Sequence, residues 1–477
     1  MPDLLEIARR RGFFWPAFEI YQGCSGFWEY GPVGALLKLR VEDFLRKALM
    51  DEGCMLFEGP VLTPQDPWVA SGHMEFFTDF TIECQKCGEA YRADHLLEEK
   101  TGEKTEGMSL GELQKAIERA GIKCPKCGGK LGSVYDYNLM FRTEIGPGKR
   151  KVAGVLRPET AQVTYMPFKR LWELARKTLP FGVVQFGKSF RNEISPRKAI
   201  IRLREFSQAE AQFFLLPEMK NRHPGFKEVA ERKIRCKPKG KGEKEIEVRG
   251  LKKLTSEWIA YWIAKCIEIF ERMGIDRGRL VARQHEDGER AFYSSDTWDI
   301  EFISEIFGRI ELVGISDRGD YDLKRHMELS GHDFRVDFQG KKVVPHVIEV
   351  AFGIDRPLFC LMESCLKQDG KRVFFSFPPN LAPYQLAVFP LVSRDGLPER
   401  AREVWMELKK QGWLAVYDEG FIGRLYYRQD EIGTPFCITI DHQTLKDDTV
   451  TIRNRDDQSQ IRVKVSGLDE KLRSLFK

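Results

Sequence analysis

The side chains best suited to chemistry lie in one short stretch, residues 186–206, where two apolar segments flank a loop rich in arginine. If the apolar segments are paired strands, alternate residues project onto one face of the sheet. Three guanidinium groups, a carboxylate and a ring then share that face: Arg191, Glu193, Arg202, Arg204 and Phe206. Guanidinium groups match phosphate oxygens in geometry and charge, and an aromatic ring can stack on a base. The pattern therefore predicts a site for a polyphosphate nucleotide.

The same stretch permits two other interpretations. The arginines could form a solvated face, paired with Glu193 and Glu205. Residues 182–189, GVVQFGKS, also satisfy the P-loop pattern GxxxxGK[ST], in which a loop between a strand and a helix holds phosphate. Because the variable positions VVQF are typical of a strand and Pro196 ends the segment that follows, we predict that no P-loop forms here.

Four cysteines form two CxxCG knuckles, CQKCG at 84–88 and CPKCG at 124–128. The glycine after each second cysteine permits a tight turn, and four thiolates give Zn²⁺ the tetrahedral sulfur site that it favours. The sequence therefore predicts a structural zinc site at Cys84, Cys87, Cys124 and Cys127. A redox CxxC pair, or thiols without a common role, is the alternative.

The two knuckles are further apart than a minimal zinc ribbon requires. Between them, Ser109 and Glu112 have the spacing of a capping box, and Gly121 supplies a helix-ending signal. We therefore expect an inserted zinc subdomain over residues 81–138, with a helix between its knuckles.

Length and composition limit the classes of protein to which the chain can belong. Its 477 residues are too many for one core, so two to four domains are expected. Because the net charge is only +5, any nucleic-acid contact must come from local basic patches. The sequence shows neither an apolar leader nor an apolar run of 18 residues, and its 11 cysteines are an odd number. These features favour a cytoplasmic protein with reduced thiols over a secreted or membrane-spanning one.

Helices are predicted to support the arginine-rich strands. Apolar residues recur at i, i+3 and i+4 over residues 31–53, between a proline and a glycine, and again over 256–274; a third helix is expected at about 159–177. Residues 220–250 look too polar to bury and are predicted to be a flexible basic insert. The segment SFPPNLAP marks a boundary, after which residues 382–477 have the pattern of a separate α/β domain.

The arginine-rich stretch also resembles a known motif. FRNEISP followed by RLREF is similar to motif 2 of the class II aminoacyl-tRNA synthetases. Eight further segments resemble, in order, the dimeric, archaeal and eukaryotic-like type of the glycyl-tRNA synthetase family. They are GFWEYGPVGALLKLR (26–40), VLTPQDPWVASGHMEFFTDF (61–80), MFRTEIGP (140–147), LRPETAQ (156–162), FYSSDTWDIE (292–301), ELVGISDRGDYDLKRH (311–326), PHVIEVAFGIDR (345–356) and GRLYYRQDEIGTPFCITID (423–441).

The resemblance implies an α+β fold. A class II antiparallel sheet flanked by helices would span residues 1–80 and 139–381, with the zinc-binding insert between them and a C-terminal α/β anticodon-binding domain. The implied activity is ATP-dependent attachment of glycine to tRNA(Gly) through a glycyl-adenylate, with Mg²⁺ bridging the phosphates. A homodimer that pairs through residues 31–80 is implied as well, and no membrane partner.

By resemblance, one set of side chains would bind ATP, and Arg191, Glu193 and Arg356 would take part in catalysis. Arg191 would hold the α-phosphate, Arg202 would reach the outer phosphates, and Phe206 would stack on adenine. The full ATP-binding set is Arg191, Glu193, Arg202, Arg204, Phe206, Glu311, Glu349 and Arg356.

Carboxylates would bind the cations. Glu311 and Glu349 would face Mg²⁺, which prefers oxygen ligands. Glu159 and Glu210 would meet the ammonium group of glycine, and Arg318 its carboxylate. The implied glycine-binding set is Glu159, Glu210, Arg318, Glu349 and Ala351.

In the C-terminal domain, a helix-like stretch precedes the apolar strand PFCITI. By resemblance, four of its side chains could contact anticodon bases and phosphates: Arg424, Arg428, Gln429 and Asp430. A helix face held by salt bridges is the alternative for any one of them.

Two positions near the amino-acid pocket depart from the family pattern. The family has Pro-Ser where this chain has Val350-Ala351, and Gly where it has Val163. Ala351 lacks a hydroxyl to contact glycine, and Val163 would tighten the pocket if it pointed inward. One rival interpretation is a diverged paralogue that activates another small amino acid or charges another carrier. The other is a non-catalytic, nucleic-acid-binding accessory protein, which would be expected to lose the phosphate-binding arginines that this chain keeps.

Overall fold

The computed structural model describes residues 3–105, 107–196 and 198–476 and is built around a nine-stranded sheet. Neighbouring strands are antiparallel except for two parallel pairs toward the edges. In spatial order the strands are Lys244–Glu247, Lys233–Lys237, Leu280–Gln284, Asp296–Ser304, Gly308–Gly319, His346–Gly353, Glu205–Leu215, Phe181–Phe190 and Cys54–Phe57. The predicted α+β class is confirmed. Because residues 187–189 lie inside a strand, the rejection of a P-loop is also confirmed.

Three helices cover one face of this sheet and form the main hydrophobic core with it. Pro32–Asp51 and Glu257–Met273 match the two predicted helices, and the second begins at an N-cap serine and ends at a left-handed glycine. Asp355–Cys365 follows the strand His346–Gly353 almost directly. The core side chains of the sheet alternate with side chains on its other face, which is therefore free to form a site.

The prediction of a flexible insert at residues 220–250 is wrong. The segment contributes the strands Lys233–Lys237 and Lys244–Glu247, which form one edge of the central sheet. Exposed charged residues alternate there with the buried Ile234 and Cys236. The polar composition reflects a half-buried edge strand rather than a lack of structure.

The helix predicted at 159–177 is interrupted. Ala161–Tyr165 and Phe168–Leu174 are separate helices, with Pro167 between them. Proline has no N–H to donate to the preceding turn, so it ends one helix and begins the next.

The inserted subdomain is a three-stranded sheet with two helices, where the sequence predicted one. Its elements are the strands Ala90–Arg92, Thr78–Cys84 and Leu131–Asn138 and the helices Ala93–Thr101 and Leu110–Arg119. The predicted capping box is present, since the Glu112 N–H donates to Ser109 Oγ and the Ser109 N–H donates to Glu112 Oε2.

The C-terminal residues form an α/β domain with its own core. Its sheet runs in the order Ala415–Tyr417, Leu386–Pro390, Phe436–Ile440, Thr449–Asn454 and Gln460–Lys464. Its helices are Leu397–Lys410, Ile422–Ile432, Thr444–Asp447 and Leu468–Leu475.

Smaller elements complete the fold. The strands are Phe14–Pro16 with Trp28–Tyr30; Leu62–Pro64, Val152–Leu156 and Phe141–Ile145; Val336–Phe338 with Lys341–Val343; and Leu366–Asp369 with Arg372–Phe375. The helices are Leu4–Arg10, Asp66–Ala70, His73–Phe76, Phe226–Val229, Val248–Leu251 and Tyr321–Ser330. Within the described residues, no helix has both the length and the apolar character needed to cross a membrane.

Candidate active site

A cavity of about 310 Å³ opens on the face of the central sheet that the three helices leave free. Its floor comes from alternate residues of three adjacent strands: Glu210 pairs with Ala351, which pairs with Gly314 on its other side. The intervening residues, such as Ala209 and Val350, pack in the core. The two-residue period of a strand thus separates the lining of the site from the core.

The cavity brings together most of the residues that the sequence singled out from distant parts of the chain. Those that line it are Glu159, Arg191, Glu193, Arg202, Phe206, Glu210, Glu311, Glu349, Ala351 and Arg356. Arg204 and Arg318 are not among the lining residues.

One part of the cavity, which we call the arginine end, holds three guanidinium groups: Arg191, Arg202 and Arg356. Arg202 donates from Nε to Glu193 Oε2 over 2.7 Å, and Arg356 donates from Nη1 to Glu311 Oε2 over 3.0 Å. Two of the three positive charges are therefore neutralised by neighbouring carboxylates.

Arg191 is different. No carboxylate of the described residues lies within salt-bridge distance of it. Its Nε donates to the carbonyl oxygen of Pro158 over 3.2 Å, and its guanidinium carbon lies 5.3 Å from the ring centroid of Phe206. Arg191 thus presents an uncompensated positive charge in the cavity, which suits an anionic ligand.

The loop that carries these arginines differs from the prediction. The strands end at Phe190 and resume at Glu205, with a 3₁₀ turn at Ala199–Ile201 between them. The strand face that was predicted to carry Arg191, Glu193, Arg202 and Arg204 does not form. Instead the loop folds back on itself, and the Arg191 N–H donates to the Arg204 carbonyl over 2.9 Å.

The prediction that Arg204 belongs to the ATP-binding set is not supported by its position. Its side chain donates to the backbone carbonyl of Glu193 over 2.9 Å and also to that of Ser25. Because these contacts hold the guanidinium outside the cavity, Arg204 shapes the loop that presents Glu193.

A carboxylate that the sequence analysis missed stands beside Glu311. A Cβ at Gly314 would lie 3.6 Å from Asp299 Oδ1 and 3.8 Å from Glu311 Oε1, so both carboxylates border the same small space. Burial and the charge of Glu311 raise the pKa of Asp299 to about 6, although His285 lies 2.6 Å away and opposes the shift. Strand alternation in DTWDIE is the signal that could have identified Asp299.

The other part of the cavity, which we call the carboxylate end, has three buried acids: Glu159, Glu210 and Glu349. Burial, together with the charges of Glu349 and Glu159, raises the pKa of Glu210 to about 8, although Thr160 donates two hydrogen bonds to it. Burial also raises the pKa of Glu349. At Glu159, by contrast, burial is outweighed by the charges of His73 and Arg318, and the pKa is lowered. This excess of acidic groups suits a cationic ligand.

The prediction that Arg318 meets a substrate carboxylate is not supported by its surroundings. Its side chain is fully buried. Nε donates to Asp322 over 2.7 Å and Nη1 donates to Glu349 over 3.0 Å. The ring of Tyr293, which lines the cavity, lies 3.7 Å from the guanidinium carbon. Arg318 therefore holds the carboxylates in place from behind the cavity wall. Because Glu349 is bound to Arg318, it lies at the carboxylate end of the cavity. The carboxylate that stands beside Glu311, where Glu349 was predicted to face a metal, is that of Asp299.

Of the two positions that depart from the family pattern, one lies at the site. Ala351 lines the cavity. Val163 does not point inward: it packs with Trp68, Met140 and Val155 in a separate apolar cluster. Val163 therefore does not tighten the pocket.

The four knuckle cysteines converge as predicted. Their Sγ atoms all lie within 4.8 Å of one another; Cys84 and Cys127 are 3.5 Å apart, and Cys87 and Cys124 are 3.7 Å apart. Sulfurs about 2.3 Å from a tetrahedral zinc would be separated by about 3.8 Å. The cluster therefore fits the dimensions of a zinc–thiolate site.

The four C-terminal residues do not share one surface. Arg424 and Arg428 are exposed, and Arg428 pairs with Asp418. Gln429 and Asp430 are each only 2% exposed. Asp430 forms buried ion pairs with Arg372 and Arg453, and this position does not support its predicted contact with an anticodon. Gln429 is likewise turned into the domain, where its amide oxygen accepts a hydrogen bond from Thr434, so its predicted anticodon contact is not supported either.

Several lining residues were missed by the sequence analysis: Gln208, His285, Tyr293, Thr297, Asp299 and Ser316. Gln208 stands between Phe206 and Glu210 at the two-residue spacing of one strand face, which is the signal that could have found it. Tyr293 lies in a loop, where no periodicity reveals orientation.

Known families match two parts of the chain. The family described as "tRNA synthetase class II core domain (G, H, P, S and T)" matches residues 141–232, and that described as "Anticodon binding domain" matches residues 385–475. A solved prolyl-tRNA synthetase from Cryptosporidium parvum shares the fold, with a TM-score of 0.60 over 99% of this chain and 74% of that one at 15% identity.

Three curated relatives that match nearly the whole chain are named glycine--tRNA ligase. The protein of Thermococcus sibiricus is 42% identical over 99% of this chain and 98% of its own length. Those of Pyrococcus horikoshii and Methanocaldococcus jannaschii are 41% and 39% identical with the same coverage. Given this similarity, the class II core and the cavity that gathers the motif residues, the chain belongs to the glycine--tRNA ligase family of class II aminoacyl-tRNA synthetases.

Proposed function

We propose that the protein attaches glycine to the 3′ end of tRNA(Gly) through a glycyl-adenylate formed from ATP. The observation that carries the proposal is the polarity of one cavity. Its arginine end offers the unpaired charge of Arg191, and its carboxylate end offers three buried acids. A nucleotide phosphate and an amino-acid ammonium group need those two environments side by side.

In the first step, a carboxylate oxygen of glycine forms a bond to the α-phosphorus of ATP, and the bond to pyrophosphate breaks. Because the nucleophile is already an anion, the site needs no general base; it must align the reactants and stabilise negative charge. Arg191 suits the α-phosphate, Arg202 and Arg356 suit the outer phosphates, and Phe206 suits adenine stacking. The Glu193 carboxylate, which accepts from Arg202, keeps that guanidinium oriented.

Glu311 and Asp299 would hold Mg²⁺, since both offer carboxylate oxygens to one small space. The ion would neutralise part of the phosphate charge. Arg356 is hydrogen-bonded to Glu311 and so orients one of the two carboxylates.

At the carboxylate end, Glu159 and Glu210 would receive the ammonium group, and Ala351 would border the α-carbon. Arg318 acts as a positioning residue, because it binds Glu349 and lies 3.5 Å from Glu159. A diverged paralogue would bind a different amino acid at this end of the cavity, and Ala351 is the lining residue that would contact the changed side chain.

In the second step, the glycyl group passes to the terminal ribose hydroxyl of tRNA. The C-terminal domain, which matches an anticodon-binding family, would bind the anticodon arm, with Arg424 and Arg428 as exposed contacts. Binding through phosphates should weaken with salt, because counterions are released.

We propose a structural role for zinc at the four cysteines. The subdomain that they hold contacts the arginine-rich loop: Asn192 Nδ2 donates to Tyr137 Oη over 2.5 Å, and Ser195 donates to the Ala90 carbonyl. Zinc would therefore also help to support the loop that carries Arg191.

We also propose a homodimer that acts in the cytoplasm. The strand Cys54–Phe57 ends the central sheet with one side unpaired by any described strand. Leu56 on this strand and Leu39 and Met50 on the adjacent helix are about half exposed. An edge strand with apolar neighbours is a natural surface for pairing with a second copy. Light scattering that gives a 55 kDa particle at working concentration would refute the dimer.

ATP–pyrophosphate exchange across the twenty amino acids tests the function. We expect exchange with glycine alone and its loss in Arg191→Ala, with the exposed Arg394→Ala as the matched control. Exchange with alanine or serine instead would support a paralogue. If folded protein gave no exchange, with or without tRNA, a binding-only accessory protein would be the better conclusion.

A further inference from the structure

Gln208 is a buried polar side chain without a protein partner. It lines the cavity and is 8% exposed. Its Oε1 has no hydrogen-bond partner among the described residues, and no described hydrogen bond involves its Nε2. Buried amide groups are nearly always hydrogen-bonded, and an unmet one is costly.

The fold itself leaves this amide unpaired. The residues that face Gln208 on the two adjacent strands are Gly187 and Gly353, which have no side chains to offer. Gln212, four residues further along the same strand face, has a partner at both polar atoms: Tyr165 Oη donates to its Oε1 over 2.6 Å, and its Nε2 donates to Glu349 over 2.9 Å. Two buried glutamines on one strand face therefore differ in whether the protein satisfies them.

The position of Gln208 indicates what could satisfy it. The residues Phe206, Gln208 and Glu210 follow one another at alternate positions, about 7 Å apart along the strand. Arg191 lies over Phe206 and marks the arginine end, whereas Glu210 belongs to the carboxylate end. Gln208 is thus placed where the amino acid must meet the α-phosphate.

We propose that Gln208 is a substrate-binding residue for the amino acid, with Oε1 accepting from the ammonium group and Nε2 donating to a carboxylate oxygen. This rests on the proposed function. A primary amide is suited to the task because it carries a donor and an acceptor side by side. It also supplies a neutral contact at a site where Ala351 has no hydroxyl and Arg318 lies behind Tyr293.

The test compares Gln208→Met with Gln212→Met. Methionine keeps the length of the side chain and removes the amide. In Gln208→Met we expect the glycine KM in ATP–pyrophosphate exchange to rise about 5- to 150-fold, as for two lost hydrogen bonds, with the ATP KM unchanged. Because Gln208 is unpaired in the free protein, the melting temperature of the Gln208→Met variant should not fall below that of the unmodified protein. Gln212→Met breaks two existing bonds and should lower the melting temperature.

An unchanged glycine KM in Gln208→Met would overturn the proposal. So would a lower melting temperature with equal rises in both KM values, which would indicate a structural role. The glycine-induced rise in melting temperature provides a readout without turnover: it should shrink in Gln208→Met, and an unchanged shift would refute the contact. Exchange absent from the unmodified protein would count against the proposed function, while this thermal shift would still decide the role of Gln208.

Discussion

Glu210 and Glu349 are diagonal neighbours on adjacent antiparallel strands, because Glu210 pairs with Ala351 and Glu349 pairs with Gln212. Both carboxylates are buried at one end of the cavity. Since one guanidinium, that of Arg318, reaches only Glu349 of the pair, Glu210 has no cationic partner of its own among the described residues. The site is therefore prepared for a positive charge that the protein itself does not supply.

This pairing predicts a pH-dependent affinity for glycine. Burial raises the pKa of Glu210 to about 8, so below that pH the free protein holds a proton there that an ammonium ligand must displace. The glycine KM should fall as pH rises from 6 to 8, approaching tenfold per pH unit at the acid end. Exchange kinetics measure it. In Glu210→Gln, binding should be weaker and this pH dependence should vanish; a flat profile in the unmodified protein would contradict the prediction.

Ala351→Ser should strengthen glycine binding. Ala351 lines the cavity, and a hydroxyl there can add one hydrogen bond worth about 0.5–1.5 kcal/mol, or about 2- to 13-fold in glycine KM. Val163→Ala is the control. Because Val163 packs on Trp68 away from the cavity, that change should lower the free energy of unfolding by about 1–3 kcal/mol and leave the glycine KM unaltered.

Arg318→Met should destabilise the fold. The substitution leaves Asp322, Glu349 and Glu159 without their buried cation, a loss of about 3–5 kcal/mol in the free energy of unfolding. Urea unfolding measures it. Arg394→Met, at a side chain that is 79% exposed, should stay within about 0.5 kcal/mol of the unmodified protein. Equal stability of the two variants would argue against the supporting role of Arg318.

Zinc removal should loosen the inserted subdomain first. Structural zinc contributes about 10–16 kcal/mol in finger peptides, so a chelator or Cys124→Ser should expose residues 78–138 to proteases. We expect one zinc per chain by metal analysis. The ATP KM should rise as well, because the Tyr137 and Ala90 contacts to the arginine-rich loop depend on this subdomain. An intact proteolysis pattern after complete metal removal would refute the role.

Substitutions in the helix Ile422–Ile432 should give two contrasting phenotypes. Arg424→Ala and Arg428→Ala should raise the KM for tRNA and reduce its salt dependence while exchange without tRNA is unchanged. Asp430→Ala should instead destabilise the domain by about 3–5 kcal/mol, because Arg372 and Arg453 lose their buried partner. A tRNA defect in a stable Asp430→Ala protein would restore the original prediction for that residue.

Features that depend on local spacing could be predicted from the sequence. The helices Pro32–Asp51 and Glu257–Met273 follow from apolar periodicity between a proline or serine and a glycine. The cysteine knuckles follow from the CxxCG spacing. Their convergence follows from the four thiolate ligands that a structural zinc site needs, since each knuckle supplies two. The edge strands at 233–247 were missed because a half-buried edge carries many charges, and charge alone does not distinguish it from a flexible loop.

By itself, the sequence determined the family, the long helices and the cysteine cluster, since each rests on residue type and near-neighbour spacing, and the resemblance of short segments to the family supplied ten of the cavity's lining residues. The tertiary structure alone decided which way individual side chains face: Arg204 and Arg318 away from the cavity, Val163 into an apolar cluster, Gln429 and Asp430 into the C-terminal core, and Asp299 beside Glu311. These orientations depend on strand register and on the course of loops between distant segments. Gln208 shows this most clearly, because the two glycines that leave its amide unpaired lie 21 residues before it and 145 residues after it in the chain.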